Sequence, residues 1–352
     1  MARFNIPQLQ THLLDWFSKH RRVMPWRAVK GKTPDPYHVW LSEIMLQQTT
    51  VATVGPYFMQ FLEKWPTVQA LAGADLDEVL TAWAGLGYYA RARNLHKCAK
   101  IVSEERKGKF PKTPEALAEL PGIGPYTAAA VASIAFNRPA VAVDGNVERV
   151  VSRFFAIREP LPSSKGMIRA YAAKLAAGNK HPGDFTQAFM ELGSLVCTPK
   201  NPKCGICPWR QSCQACQLGI AETLPRQAAK PPKPVRYGKI FWIHQKSGVF
   251  LIEKRAGKGL YEGMYQLPTT EWVTDAAKVK KLRPPYRLQF KPLSLTVRHS
   301  LTHFDLVLEI WGAPLPNRTT GLQGRFISPQ DIDAYALPTL MRKAVNLCVK
   351  AV

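Results

Sequence analysis

The stretch that decides the fold is residues 117–151, which read LAELPGIGPYTAAAVASIAFNRPAVAVDGNVERVV. Gly122 and Gly124 separate a short apolar segment from an alanine-rich one, and Pro125 follows where a helix needs no N–H donor. The pattern predicts a helix, a tight turn and a second helix. The unpaired N–H groups of such a turn, at the positive end of a helix, can bind a phosphate of a nucleic-acid backbone. An ordinary helical hairpin is an equally good interpretation of the glycines alone.

The same stretch ends at an acidic residue. The apolar run 139–143 stops at Asp144, and Val147 and Val150 then resume at helical spacing. We therefore expect Asp144 to cap the N-terminus of a helix, a role worth about 1 kcal/mol. Because capping hydrogen bonds favour the ionised form, we also expect a lowered pKa for this carboxylate.

The composition indicates a nucleic-acid partner. The chain has 352 residues, enough for two domains, and a formal net charge of +23, of which residues 230–352 carry +12. No run of 18 apolar residues occurs, and the N-terminus lacks the apolar region of a secretion signal. We expect an intracellular, soluble monomer without a membrane partner, located in the bacterial cytoplasm at the nucleoid.

Four closely spaced cysteines predict a metal centre. They follow the pattern Cys-x6-Cys-x2-Cys-x5-Cys at Cys197, Cys204, Cys207 and Cys213. An intracellular compartment keeps thiols reduced, so a metal site is favoured over disulfides. Zinc usually takes two separated Cys-x2-Cys pairs, whereas this run has one, and we therefore expect a [4Fe–4S] cluster. The basic loop at 199–203 is suited to contact phosphates.

A glutamate lies in the middle of an apolar helix. Periodicity predicts an amphipathic helix at 6–17 and a buried one at 37–48, which contains Glu43 between Val39 and Leu46. Burial raises the pKa of a carboxyl group, which makes it a proton donor near neutral pH. A glutamate paired with an arginine is the alternative.

The remaining patterns divide the chain in two. Further helices are predicted at 53–62, 76–83, 90–105 and 168–177, and a glycine-rich loop with two tyrosines and arginines at 84–92 is suited either to stacking on bases or to simple packing. The proline-rich, basic segment 222–236 is typical of a linker. After it, strands are predicted at 240–243, 249–252, 293–297 and 306–310, and helices near 274–281 and 340–349, which indicates an α+β domain.

Several motifs together resemble one family. They are WLSEIMLQQT at 40–49, GLGYYAR at 85–91, LPGIGPYT at 120–127, VDGNV at 143–147 and the four-cysteine run. With them the chain resembles, over nearly its whole length, the helix-hairpin-helix DNA glycosylases that carry an iron–sulfur cluster, and within that family the members that act on adenine. The resemblance implies a multidomain protein with three parts. They are an all-α catalytic region at 1–221 (a six-helix domain at about 30–140 and a cluster domain at about 1–29 plus 141–221), a linker at 222–236, and a Nudix-like α+β lesion-recognition domain at 237–352.

The resemblance also implies a reaction. Adenine mispaired with 8-oxoguanine or guanine in double-stranded DNA would be flipped out of the duplex and excised. Glu43 would protonate the leaving base, and Asp144 would stabilise the oxocarbenium-like sugar with support from Asn146 and Tyr126, as in other two-carboxylate glycoside cleavages. The adenine pocket would include Arg27 and Gln187.

Residues that read the DNA are implied in the same way. Gln48 and Tyr88 would insert into the base stack, with Leu46, Thr49 and Leu86 around them and with Gly122 and Gly124 on the backbone. In the Nudix-like domain, Thr302 and His303 would read 8-oxoguanine, while Leu301 replaces the aromatic residue common in the family. The acidic Nudix box is missing after residue 268, so we expect no divalent-metal hydrolysis.

Tyr126 separates two branches of the family. Members that also cleave the strand carry a lysine at this position, because an amine is needed to form a Schiff base with the sugar. We therefore expect a monofunctional glycosylase. The alternatives are a bifunctional glycosylase/lyase for oxidised pyrimidines and a non-catalytic iron–sulfur DNA-binding module. The acid Glu43 in an apolar helix argues against the non-catalytic module.

Overall fold

The computed structural model of the chain describes residues 4–29, 31–229, 231–257, 259–315 and 321–351. The chain divides into two compact units. The first unit comprises Met1–Gly73 and Lys97–Lys230, and the second comprises Ala74–His96 and Pro231–Val352. Among the described residues, no helix has both the length and the apolar character that crossing a membrane requires.

The N-terminal part of the chain is helical, as the sequence predicts. In chain order the helices are α1 Ile6–His20, α2 Pro36–Leu46, α3 Val51–Lys64, α4 Val68–Gly73, α5 Leu76–Ala82, α6 Ala90–Glu104, α7 Pro114–Ala118, α8 Pro125–Phe136, α9 Gly145–Phe154, α10 Lys165–Ala176, α11 Pro182–Glu191 and α12 Gln214–Gln217. Several of them begin after a polar residue whose side chain accepts an N–H of the first turn. These caps are Asn5, Asp35, Thr50, Asp75 and Thr113.

The predicted helical hairpin is present between α7 and α8. Gly122 has a φ of +78°, a backbone conformation that glycine adopts without strain, and Gly124 is the N-cap residue of α8. Pro125 is the first residue of α8, as the sequence predicts. Both glycines are exposed at the turn.

Two packed groups of helices form the interior of the first unit. Helix α2 is buried on nearly every side, with Trp40, Leu41 and Met45 fully inaccessible, which confirms the buried helix expected there. Helices α1, α9, α10 and α11 share a second hydrophobic core. Trp209 joins that core, and its indole N–H donates a 2.8 Å hydrogen bond to the carbonyl of Leu9.

The C-terminal part forms a mixed sheet. Its strands are β1 Val235–Gln245, β2 Phe250–Lys254, β3 Tyr265–Gln266, β4 Lys291–Ser300, β5 Asp305–Leu315 and β6 Arg325–Ile327, in the order β3-β2-β1-β5-β4, with β6 pairing β2. β1 and β5 run parallel, with Gly238 opposite Leu308, and the other pairs are antiparallel. Helix α13 (Thr339–Ala351) packs against β4. The four predicted strands are confirmed, whereas β3 and β6 were not predicted.

Helix α5 and the glycine-rich loop belong to the second unit. Lys254 of β2 forms a 2.7 Å ion pair with Asp77, and the Arg93 guanidinium donates a 2.8 Å hydrogen bond to the carbonyl of Glu262. These contacts tie residues 74–96 to the sheet domain. The sequence alone predicts those residues within the helical region.

The start of the proline-rich linker pairs with the first unit. Leu161 donates its N–H to the carbonyl of Arg226 at 2.9 Å, and Ala228 donates back to Leu161 at 3.0 Å. The Arg153 guanidinium also bonds the carbonyl of Leu224 at 2.9 Å. The start of the predicted linker therefore belongs to the first unit.

Candidate active site

A cavity of about 1110 Å³ opens within the first unit. Its volume is that of a pocket for a ligand of at least nucleotide size. Nine of the residues predicted for catalysis or recognition line it, and they come from five separate parts of the chain. They are Arg27, Glu43, Leu46, Gln48, Thr49, Tyr126, Asp144, Asn146 and Gln187.

Glu43 is a buried acid in the wall of this cavity. Its residue exposure is 7%, and burial raises its pKa from 4.5 to about 7, with a further upward contribution from the charge of Asp144. The hydroxyl of Tyr126 donates a 2.9 Å hydrogen bond to Oε2 of Glu43, which opposes that rise. The expected raised pKa is thus confirmed. The arginine-paired alternative is not what the geometry favours, because Arg27 forms its ion pair with another acid, Glu191.

Asp144 caps helix α9, as predicted. Its side chain accepts the N–H of Val147 at 2.8 Å and the amide of Asn146 at 2.7 Å. The expectation of a lowered pKa is wrong, because burial in the cavity wall raises the pKa of Asp144 more than these hydrogen bonds and the charge of Arg149 lower it. The sequence shows the cap but not the depth at which it lies.

Tyr126 stands in the first turn of α8, after the glycine-rich turn. Its pKa is raised well above 10 by burial and by the neighbouring carboxyl groups of Glu43 and Asp144. The phenol therefore keeps its proton and acts as a hydrogen-bond donor toward Glu43 throughout the physiological pH range.

Glu191, which the sequence analysis missed, organises one side of the cavity. Its side chain is only 2% exposed and accepts hydrogen bonds from Arg27 at 2.8 Å and from Arg22 at 3.2 Å, both through Oε1. Its second oxygen, Oε2, finds no hydrogen-bond partner among the described residues. The signal in the sequence was weak: Glu191 follows Ala188 and Phe189 on α11 and directly precedes Leu192, all three fully buried. Gln187, one turn earlier, donates to its own helix at the carbonyl of Gly183.

Two predicted recognition residues have unusual backbone conformations. Gln48 has a φ of +62° and Tyr88 a φ of +48°, in the left-handed region that non-glycine residues rarely adopt. Such conformations cost about 1–3 kcal/mol each and concentrate at functional sites. Helix α2 ends at Leu46 rather than at the predicted residue 48, because the chain leaves helical geometry at Gln47 and turns at Gln48.

The second unit brings together two further predicted residues. The hydroxyl groups of Tyr88 and Thr302 share a hydrogen bond of 2.7 Å, and the guanidinium of Arg91 lies 5.5 Å from the centre of the Tyr88 ring. Leu86, in the same loop, is buried, while His303 is exposed. Tyr88, in the 85–91 motif, and Thr302 thus meet in space although they are 214 residues apart in the sequence.

The four predicted cysteines lie near one another, since the charges of Cys197, Cys204 and Cys213 all act on the thiol of Cys207. All seven cysteines, each within the described ranges, are free thiols. The buried guanidinium of Arg153 lies 3.3 Å from the sulfur of Cys197, and main-chain N–H groups of Trp209 and Cys216 donate to the sulfurs of Cys207 and Cys213. Such donors stabilise the negative charge of thiolates that bind a cluster. The residues therefore fit an iron–sulfur cluster, and the nearby Lys200 and Lys203 are exposed.

Arg149, also missed in the sequence, connects the cysteine run with the cavity. Its guanidinium donates to the carbonyl of Cys197 at 2.7 Å, to Oδ1 of Asn146 at 2.8 Å and to the carbonyl of Gly193 at 2.7 Å. Asn146 in turn bonds Asp144. A continuous hydrogen-bonded chain thus joins the first cysteine to the carboxylate that caps α9.

Comparison with known domains agrees with this architecture. Residues 41–177 match the HhH-GPD superfamily of base excision DNA repair proteins, residues 197–213 match the iron–sulfur binding domain of endonuclease III, and residues 239–347 match the NUDIX domain. A thermostable thymine-DNA glycosylase is 28% identical, with a TM-score of 0.53 over 60% of this chain and 97% of that one. A DNA-trapped endonuclease III, 23% identical with a TM-score of 0.51 over 62% of this chain and all of its own, shares the fold.

Curated relatives cover most of the chain. The adenine DNA glycosylase of Rattus norvegicus is 36% identical over 97% of this chain and 78% of its own length. That of Buchnera aphidicola subsp. Schizaphis graminum is 37% identical over 84% of each chain. The chain also combines a helix-hairpin-helix region, an iron–sulfur binding segment and a NUDIX domain. Because its relatives reach this identity over most of their length, the chain belongs to the adenine DNA glycosylase family.

Proposed function

We propose that this chain removes adenine from duplex DNA in which adenine lies opposite 8-oxoguanine or guanine, and that it leaves the DNA strand uncut. The names of the relatives support adenine as the base. The observation that carries the proposal is the buried Glu43, whose pKa is raised to about 7 in the same cavity as Asp144.

Glu43 supplies the proton that the leaving base needs. Adenine is a poor leaving group as an anion, so cleavage of its bond to the sugar requires protonation of the ring. A carboxyl group with a pKa near 7 is substantially protonated at neutral pH and can donate. A protein that only binds DNA has no use for such a group in a buried position.

Asp144 stabilises the positive charge that develops on the sugar. The ionised form of Asp144 is favoured by the N–H groups of Val147 and Asn146, by the side-chain amide of Asn146 and by the guanidinium of Arg149. The ionised form of Glu43 is favoured by fewer groups, the hydroxyl of Tyr126 and the charge of Arg27. The proton of the pair therefore resides on Glu43. This difference between two neighbouring carboxyl groups is the division of roles that glycoside cleavage requires.

The side chain of Tyr126 supports a monofunctional reaction. A strand-cleaving glycosylase needs an amine that can form a Schiff base with the sugar. Tyr126 offers a phenol that stays protonated, and its hydroxyl is engaged with Glu43. Hydrolysis by water is therefore the proposed outcome.

Recognition is assigned to four groups of residues. Arg27 and Gln187 would receive the flipped adenine in the cavity. Gln48 and Tyr88 would insert into the space that it leaves in the duplex, with Leu46, Thr49 and Leu86 around them. Thr302 and His303 would read the opposite 8-oxoguanine. The exposed turn at Gly122 and Gly124 would hold the backbone of the bound DNA duplex. The protein would bind this duplex as a monomer. The predicted location of the protein is the bacterial cytoplasm, at the nucleoid.

A single experiment tests the function. The protein is incubated in excess with labelled duplexes that contain adenine opposite 8-oxoguanine, adenine opposite guanine, or an oxidised pyrimidine, and both free base and strand breaks are measured before and after alkali. We expect release of adenine from the first two duplexes, with strand breaks only after alkali. Breaks before alkali would contradict the monofunctional assignment, and release from the pyrimidine duplex alone would contradict the substrate.

A further inference from the structure

The loop before α6 holds Tyr88 in an exposed and strained position. Gly85 and Gly87 have φ values of +106° and +69°, and Tyr88 follows them at +48°. Tyr88 is 48% exposed, so packing against the protein interior covers only part of it. A non-glycine residue keeps such a backbone conformation only where its surroundings impose it. The contacts of this loop therefore decide where the tyrosine ring stands.

Arg91, in the first turn of α6, donates hydrogen bonds to the carbonyls of three successive loop residues. Nη2 of its guanidinium bonds the carbonyl of Leu86 at 2.9 Å and that of Gly87 at 3.2 Å, and its main-chain N–H bonds the carbonyl of Tyr88 at 2.8 Å. The indole N–H of the buried Trp83 bonds the same carbonyl of Gly87 at 3.0 Å. The turn that carries Tyr88 is thus held from its inner side.

The same guanidinium lies over two aromatic rings. It is 5.3 Å from the ring centre of Trp83 and 5.5 Å from that of Tyr88. At such distances a cation is attracted to the face of each ring. The buried ring of Trp83 and the exposed ring of Tyr88 are therefore connected through the side chain of Arg91.

The charge of Arg91 does not stabilise the helix that carries it. Arg91 is the second residue of α6, near the positive end of the helix dipole, where a cation is unfavourable. No acidic residue in the first turn of α6 compensates for it. The stabilising contribution of Arg91 consequently comes from its contacts with the loop.

We propose that Arg91 is a positioning residue for Tyr88, which holds the 85–88 loop, before DNA binds, in the conformation in which the tyrosine ring can enter the duplex. The inference rests on the insertion role proposed above for Tyr88. A loop that is already ordered needs no further ordering when it inserts, which speeds base flipping rather than bond cleavage. Charge alone does not suffice, because a lysine ammonium lacks the planar fork that bonds two carbonyls and contacts two rings at once.

Hydrogen exchange in the DNA-free protein tests whether Arg91 orders the loop. Full-length wild type, Arg91→Lys, Arg91→Gln and Arg93→Lys are compared by mass spectrometry of peptides that span residues 84–91. Arg93 is the matched control, because its guanidinium bonds the carbonyl of Glu262 and not the loop. We expect the loop amides to exchange about tenfold faster in both Arg91 variants and at the wild-type rate in Arg93→Lys. Wild-type exchange in Arg91→Gln, or an equal increase in Arg93→Lys, would overturn the proposal.

The rate of base flipping shows whether the order of the loop acts through Tyr88. A duplex with adenine opposite 8-oxoguanine carries 2-aminopurine beside the adenine, and the fluorescence of this probe rises when its neighbour leaves the stack. In stopped-flow mixing, we expect Arg91→Lys and Arg91→Gln to flip the adenine about tenfold more slowly than the wild type. The double variant Tyr88→Ala, Arg91→Lys should be no slower than Tyr88→Ala alone. A slow Arg91→Gln with a wild-type rate in Arg91→Lys would show that the charge contacts a DNA phosphate, and would refute the positioning role.

The single variant Tyr88→Ala separates this inference from the proposed function. If Tyr88→Ala flips the adenine slowly while Arg91→Gln flips it at the wild-type rate, only the role of Arg91 is wrong. If Tyr88→Ala itself flips the adenine at the wild-type rate, the insertion assigned to Tyr88 is wrong and the proposal fails with it. Thermal unfolding of each variant is measured alongside, and Arg93→Lys shows how far a lost guanidinium contact of the same helix slows flipping through stability alone.

Discussion

The hydroxyl of Tyr126 donates a 2.9 Å hydrogen bond to Oε2 of Glu43. The bond stabilises the ionised carboxylate, whereas burial in the cavity wall stabilises the protonated acid, and burial has the larger effect. The result is a pKa of about 7. The balance between these two contributions sets the pH range in which Glu43 can donate a proton.

We predict that the wild-type rate of adenine release falls as the pH rises through about 7, because Glu43 acts in its protonated form. Tyr126→Phe removes the bond that favours the anion, so the pKa of Glu43 should rise and the decline should move to higher pH. A hydrogen bond to a charged group is worth about 1.5–3 kcal/mol, which corresponds to about one to two pH units. The measurement is the single-turnover rate between pH 5 and pH 9.

The direction of the shift is what distinguishes this role of Tyr126. A tyrosine that serves only as packing would change the rate at every pH by the same factor. An unchanged midpoint, or a midpoint displaced to lower pH, would contradict the assignment of Glu43 as the acid tuned by Tyr126.

Glu43→Gln should abolish base release while duplex affinity stays within about threefold. The amide keeps the shape of the side chain but cannot donate a proton in the transition state, and general acid catalysis contributes about 10²–10⁴-fold. Single-turnover rates and duplex binding at low protein concentration measure the two effects separately. Glu63→Gln, at an exposed position of α3, is the matched control and should keep the wild-type rate.

Glu43→Gln should also be more stable than the wild type at high pH. The pKa of Glu43 is about 7 in the folded protein and ordinarily 4.5, so folding favours its protonated form. Its contribution to stability is therefore fully present below pH 4.5 and lost as the pH rises through 7, at a cost of about 3 kcal/mol. We expect Glu43→Gln to unfold at higher urea concentration than the wild type at pH 8, and the advantage to shrink toward pH 5. An equal difference at both pH values would argue against a raised pKa.

The sequence predicted local features well and three-dimensional neighbourhoods poorly. The helix cap at Asp144 follows from short-range hydrogen-bonding chemistry and is confirmed. Its raised pKa depends on how deeply the cap lies in a cavity formed by distant segments, which no local pattern encodes. The raised pKa of Glu43 was predictable only because its whole helix is apolar.

The sequence analysis missed Glu191 and Arg149 for the same physical reason. Glu191 and Arg149 look like ordinary charged positions on amphipathic helices, and their roles come from partners 164 residues away at Arg27 and 48 residues away at Cys197. The association of residues 74–96 with the sheet domain is likewise set by pairs such as Lys254 and Asp77, which are 177 residues apart. Periodicity carries no information about such pairings.

Glu191→Gln should slow adenine release about tenfold without weakening duplex binding. The amide still accepts a hydrogen bond but removes the negative charge that holds Arg27, so the guanidinium would lose its fixed place in the cavity wall. A loss of about 1.4 kcal/mol of transition-state stabilisation gives this factor. The measurement is the single-turnover rate together with the duplex dissociation constant.

Arg22→Ala is the matched control for this prediction. Arg22 contacts the same oxygen of Glu191, but its side chain is 34% exposed against 10% for Arg27. Its removal should change the rate less than threefold. Equal losses in both variants would show that Glu191 acts through the stability of the local fold and not through Arg27.

The hydrogen bond between Tyr88 and Thr302 predicts that the two residues act together in lesion recognition. Thr302→Ala removes a hydroxyl without changing charge and should reduce the preference for adenine opposite 8-oxoguanine over adenine opposite guanine by about 10- to 100-fold, the equivalent of a base contact worth 1–3 kcal/mol. Tyr88→Phe keeps the ring for stacking but loses the same hydrogen bond. If the hydroxyl of Tyr88 orients that of Thr302, the double variant should lose no more discrimination than Thr302→Ala alone.

Two further variants, His303→Ala and Thr296→Ala, separate the coupling between Tyr88 and Thr302 from a general effect on the chain around Thr302. Thr296 is exposed on β4, the strand that precedes Thr302 and His303, and its loss should leave discrimination unchanged. His303, also exposed, is predicted to contact the oxidised base directly, so its effect should add to that of Tyr88→Phe rather than overlap with it. Losses that simply add for Tyr88→Phe and Thr302→Ala would mean that the bond is lost when DNA binds. A wild-type ratio in the Thr302→Ala, His303→Ala double variant would place lesion reading outside this segment altogether.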